Sequence, residues 1–112
     1  MNPDDLRLLE TVGSEARIAA GQVLIERGQR GSGLFVVLEG NLVVEAPEGM
    51  RELGPGALVG ERALFSDEGT RTARVRAIGD VRVLAVDRVD VERLCAADAE
   101  LQARLVVAGA EH

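Results

Sequence analysis

The residues of this 112-residue chain that could do chemistry gather in one stretch, GERALFSDEGTRTA, from Gly60 to Ala73. A carboxylate, Glu61, stands near its head, and Arg71 follows ten residues later with Thr72 and Ala73 behind it. In TRTARVRA the side chains alternate between faces if the segment is a strand. Thr72, Arg74 and Arg76 then share the wet face, while Ala73, Val75 and Ala77 share the core face, and parity places Arg71 with the core set. A guanidinium cannot shed its charge, and burying it unpartnered costs several kcal/mol, comparable with the whole stability of a small domain. Arg71 therefore requires an anionic partner. One candidate is Glu61, as an ion pair across a hairpin; the other is a bound anion, since the planar guanidinium fork fits phosphate oxygens bidentately.

The head of the stretch bears on that choice. ALVGERALF reads as a strand that ends at Gly60 and turns at once into a short helix, Glu61 to Phe65. The first amides of a helix lack internal partners and carry the positive end of its dipole. Glycine at position 60 lets a ligand approach the backbone closely. A carboxylate beside a phosphate would repel it unless that carboxylate accepts from hydroxyls on the same molecule. Phosphate, neighbouring hydroxyl and base together describe a nucleotide. Residue chemistry favours this ligand over the plain ion pair and leaves both open.

The elements that must position these residues are short. Pro3, Asp4 and Asp5 suit the first turn of a helix carrying Leu6, Leu9 and Val12 on one face, which Gly13 ends. The body is a series of apolar or alternating runs, QVLIE (22–26), GLFVVLEG (33–40), NLVVEA (41–46), ALVGE (57–61), RTARVRA (71–77) and VRVLAVD (81–87). Turn chemistry lies between them: GQRGSG, EG, PEG, GPG, DEG and IGD. Many short strands with frequent turns predict a β-sandwich or barrel. Beyond Val86 the pattern is helical again, with Asp87 or Asp90 capping a helix through Val91, Leu94 and Cys95, and Asp98 capping a second through Leu101, Leu105 and Val106 that ends near Gly109.

Composition bounds the function. One domain over residues 1–112 suits the length, and 46% hydrophobic residues suffice for a core. Aromatics make up 2%, so that core is aliphatic. The formal charge of -6, with all 13 basic residues arginine, argues against direct binding to nucleic acid or an anionic membrane. Cys95 is the single thiol and His112, the last residue, the single imidazole, which excludes an intrachain disulfide, a cysteine-built zinc or iron–sulfur cage and a His-dependent triad. No enzyme is expected. The acidic start MNPDDLRLLE lacks a signal peptide's basic region, so a cytoplasmic location is expected.

At the Gly60–Ala73 stretch the chain resembles the cyclic nucleotide-binding domain family, the effector module of catabolite activator protein, cyclic-nucleotide-dependent kinases and gated channels. The family's phosphate-binding cassette runs Gly-Glu, a small and an apolar residue, a short loop, then Arg, Thr/Ser/Ala, Ala. GQRGSGLFVVLEG (28–40), LGPGALVGE (53–61) and VRVLAVDRVDVERL (81–94) resemble three further family segments in the same order.

The resemblance implies a mainly β jelly-roll barrel flanked by a short N-terminal helix and C-terminal helices. It implies that Arg71 pairs a cyclic phosphate, helped by free amides around Arg62 and Ala63. Gly60 would permit close approach, Glu61 would accept from the ribose 2′-hydroxyl, and Thr72 would donate to phosphate or base. Leu53, Leu58, Val59 and Ala73 would form the apolar wall. The implied ligand is cAMP or cGMP, with no other cofactor, and a hydroxyl at position 72 leans towards cGMP. Three departures stand out: Arg62 where the family has an apolar residue, a short EAPEGMREL hairpin at the pocket rim, and a brief terminal segment, Ala99 to Ala108, which implies a minimal lid or one supplied by a partner.

The expected function is a regulatory sensor that signals to a protein effector through Asp87 to Gly109, with a homodimer compatible. The alternatives are a ligand-free structural or interaction domain of the same fold, or the effector-domain fragment of a larger transcription regulator.

Overall fold

In the computed structural model the described residues are 1–65 and 73–110, with Arg62 and Ala63 described by their backbone only. Helix α1 (Pro3–Glu10) starts on Asn2, whose side chain accepts from the Asp5 N–H at 2.7 Å, with proline in the first turn where a missing N–H costs nothing. Six strands follow, β1 (Ser14–Ile18), β2 (Val23–Ile25), β3 (Gly33–Ala46), β4 (Gly49–Leu53), β5 (Leu58–Val59) and β6 (Arg74–Asp87), with helix α2 (Glu61–Phe65) between the last two. Helices α3 (Arg88–Ala97) and α4 (Leu101–Ala110) close the described chain. All pairings are antiparallel in the order β1-β6-β3-β4, with β2 added to β6 and β5 to β3. This is the mainly β jelly roll flanked by helices that the sequence predicts.

Two expectations about its interior are corrected. The EG at 39–40 and the IGD at 78–80, expected as turns, lie inside the 14-residue strands β3 and β6. There they form bulges: the register shifts between Val37 and Glu39 and again between Glu39 and Asn41. Gly40 has φ +90°, and a Cβ on it would stand 2.6 Å from the Asp80 carbonyl oxygen, so the two strands touch backbone to backbone at the kink. Strand β1 is absent from the predicted runs, because SEARI contains no apolar run.

The bulge has a consequence for packing. Each extra residue reverses which face a side chain meets. In β3, Phe35 and Val37 point into the barrel, yet beyond the bulge Leu42 and Val44 do so, the parity having flipped. Leu34, Val36, Leu84 and Val86 face outward instead, under Leu9, Val91, Leu101, Leu105 and Ala108 of the helices. One sheet thus serves two cores, a barrel interior and a helix-covered exterior.

A buried ion pair ties the ends together. Asp5, at 5% exposure, accepts from Arg104 at 3.0 and 3.1 Å, and the same guanidinium reaches Asp98 at 2.6 Å. Asp5, predicted only to favour the helix dipole, therefore also holds α1 to α4.

Candidate functional site

The site grows from the end of β5. Leu58 and Val59 pair with Val36 and Phe35 of β3, which fixes where the strand stops. Gly60 then takes φ +91°, the left-handed region that glycine enters without strain, and the chain turns directly into α2. That turn delivers Glu61 to the inside, where its exposure is 6%. Arg88, the first residue of α3, steadies the far end of α2. It donates from Nε and Nη2 to the Gly31 carbonyl at 3.0 and 2.7 Å, and from Nη1 to the Leu64 carbonyl at 3.4 Å.

Glu61 lines a cavity of about 290 Å³, near the lower end of the range for small-ligand sites. Leu58, Val59, Gly60 and Ala73 line it too, and Val75 continues the wall of Ala73. Ile25 of β2 and Val44 and Ala46 of β3 complete the apolar side. The opposite rim is the β3–β4 hairpin, with Glu48, Gly49, Met50 and Arg51. The cavity is therefore apolar along the barrel and charged at two places, Glu61 within and Glu48 with Arg51 at the rim.

Of the remaining predicted positions, one has a described side chain. Leu53 is paired with Leu42, is buried in the barrel core and is not among the lining residues. The side chains of Arg62 and Ala63 are not described, and Arg71 and Thr72 lie outside the described residues, as does His112. Arg74 and Arg76 face outward as predicted, pairing with Glu26 at 2.9 Å and Glu45 at 2.7 Å.

Sequence reasoning missed the hairpin residues and Gly109, which also lines the cavity. The hairpin was legible only as a rim of altered length. Gly109 gave no signal beyond that of a helix end. Burial, with Asp98 adding to it, pushes the Cys95 thiol up, consistent with a packing role. Among the described residues no cluster of three or more His, Cys, Asp or Glu groups is placed to hold a metal, and no helix is long and apolar enough to cross a membrane.

Known proteins resemble this chain in sequence and in fold. The family model described as "Cyclic nucleotide-binding domain" matches residues 15–98. The cyclic nucleotide-gated potassium channel mll3241 of Mesorhizobium japonicum is 39% identical over 84 residues, which are 75% of this chain and 23% of the channel. The cGMP-dependent protein kinase egl-4 of Caenorhabditis elegans is 42% identical over 76 residues, 66% of this chain and 10% of the kinase. This chain thus spans only a small part of the curated relatives it matches.

Among solved structures, one from work on "A cyclic-GMP-dependent signalling pathway regulates bacterial phytopathogenesis" superimposes with a TM-score of 0.84 at 31% identity, covering 95% of this chain and 88% of that one. The Thermus thermophilus catabolite activator protein gives a TM-score of 0.77 at 29% identity, covering 96% of this chain and 53% of that one. By cassette residues, fold and sequence match, the chain belongs to the cyclic nucleotide-binding domain family.

Proposed function

We propose that this chain is a regulatory sensor of a cyclic purine nucleotide, and that cGMP is its preferred ligand. The observation that carries the reading is Glu61, buried and directed into a cavity bounded by Gly60 on one side and the β3–β4 hairpin on the other. Glu61 accepts from the ribose 2′-hydroxyl, and Arg71 with the amides near Arg62 and Ala63 takes the cyclic phosphate. The purine lies along Val44 and Ala46, its edge turned to Arg51. A guanine edge offers two acceptors, O6 and N7, to a guanidinium, whereas an adenine edge pairs one acceptor with a donor. The hydroxyl of Thr72 leans the same way, and a cGMP-dependent kinase stands among the relatives.

The domain binds rather than catalyses. Its output runs through α3 and α4, which pack on the same sheet as the cavity wall and contact α2 through Arg88 and Gly109. A protein effector reads that output, either as a separate partner or as the remainder of a longer regulator, and a homodimer is compatible with it. A ligand-free structural role is the less supported alternative, because its cavity would be filled by the chain's own side chains and about 290 Å³ is open.

Thermal-shift titration with cGMP, cAMP and a non-cyclic nucleotide tests the proposal, since a ligand bound only to the native state raises the melting point by mass action. A shift is expected for the cyclic nucleotides, larger for cGMP, with Arg51→Ala narrowing the difference. Arg71→Ala should lose about 3 kcal/mol of binding, roughly a hundredfold. No shift up to millimolar cyclic nucleotide would refute the reading.

A further inference from the structure

Gly109 lies one residue before the end of α4 and is buried against the cavity. A Cβ on it would overlap Oε1 and Cδ of Glu61 and stand 2.8 Å from Cγ. All three nearest atoms belong to that one side chain, so the space any other residue would need is taken by the Glu61 arm. Two ordinary reasons for glycine do not apply. Its φ is not positive, so the backbone does not demand it. Nor does helix formation, because glycine is the poorest helix former after proline, and Ala108 and Ala110 flank it. What remains is room for the carboxylate.

We infer that Gly109 is a positioning residue for Glu61: the bare backbone of α4 sets where the carboxylate stands in the cavity. This rests on the reading of Glu61 as acceptor for the ligand's 2′-hydroxyl, and it supplies a direct contact between that acceptor and the C-terminal helix. The docked helix and the inward carboxylate form one arrangement. A methyl group at position 109 must displace one or the other, and because the overlap reaches back to Cγ at 2.8 Å, the whole Glu61 arm and not only its tip has to move.

The test uses the full chain with Gly109→Ala, Glu61→Ala and the double variant. Urea unfolding gives the first readout. Gly109→Ala is expected to lower the midpoint although alanine favours the helix, and to raise it when Glu61→Ala has already emptied the space. The second readout is titration with cGMP and with 2′-deoxy-cGMP. Gly109→Ala is expected to weaken cGMP about tenfold or more while changing the 2′-deoxy ligand less than about twofold, because only the former uses the Glu61 contact.

Gly109→Ala stabilising both backgrounds, or equal losses for the two ligands, overturns the inference. If neither ligand binds the parent chain, the sensor reading fails, and the unfolding comparison still decides whether Gly109 positions Glu61.

Discussion

Removing three carbons from the centre of α4 tests whether that helix is part of the folding core or a loosely attached reporter. Leu105 is 0% exposed and shares a cluster with Leu34, Leu84 and Val86 on the outer face of the barrel and with Val91 and Leu101 of the helices. Leu105→Ala takes away that burial and leaves a void the surrounding strands cannot close, because β3 and β6 are fixed by their ladder and by the Gly40 bulge. Changes of this kind cost about 3 kcal/mol, within a usual range of about 2–5 kcal/mol. With a urea dependence of about 1.5 kcal/mol/M for a domain of this size, the midpoint should fall by about 2 M.

On the same helix Val107 is 58% exposed, so Val107→Ala should stay within about 0.5 kcal/mol. Circular dichroism should show a single transition for the parent and both variants. A Leu105→Ala cost below about 1 kcal/mol, or a separate early transition, would show that α4 detaches on its own and would refute its place in the core.

Gly40 and Gly28 offer a matched pair, with φ +90° and +86°, but only Gly40 has backbone in the way. Gly28→Ala should cost about 1 kcal/mol for the left-handed conformation alone. Gly40→Ala should exceed it by about 2 kcal/mol or more in urea unfolding, and equal costs would mean that the bulge can open. Acid stability follows from Asp98, whose carboxyl is held below its ordinary value of 3.8 by the hydrogen bond from Arg104. A depressed carboxyl contributes stability that is present above the unfolded value and lost as pH falls through the folded one. Below about pH 4, Asp98→Asn should therefore flatten part of the parent's decline in melting temperature. A decline equally steep in the variant would contradict that assignment.

The sequence by itself determined the class of fold, the outer helices and the cassette helix. These follow from local signals: glycine and proline at turns, an acidic residue ahead of α3 and of α4, and the strand-to-helix switch at Gly60, where α2 begins and ends as predicted. Asp87 stands at the start of α3 without a side-chain capping bond, whereas Asp98 accepts from the Glu100 N–H at 3.1 Å. Period-2 alternation also sorted Arg74 and Arg76 from Val75 and Ala77. Only the tertiary structure decided the rest. Gly40 and Gly79 read as turns along the chain because each takes a positive φ, and a bulge uses the same conformation. What separates bulge from turn is a partner strand 40 residues away, to which no local pattern refers.

Position 53 shows the same limit. Leu53 and Leu58 are both buried leucines near the cassette, yet pairing with Leu42 holds one in the barrel core while the other reaches the cavity. The hairpin rim at Glu48 and Arg51, and Gly109 against Glu61, belong to the site only because folding carries distant segments to one cavity. Periodicity reports which face a side chain takes within its own element, whereas a binding site is defined by contacts between elements.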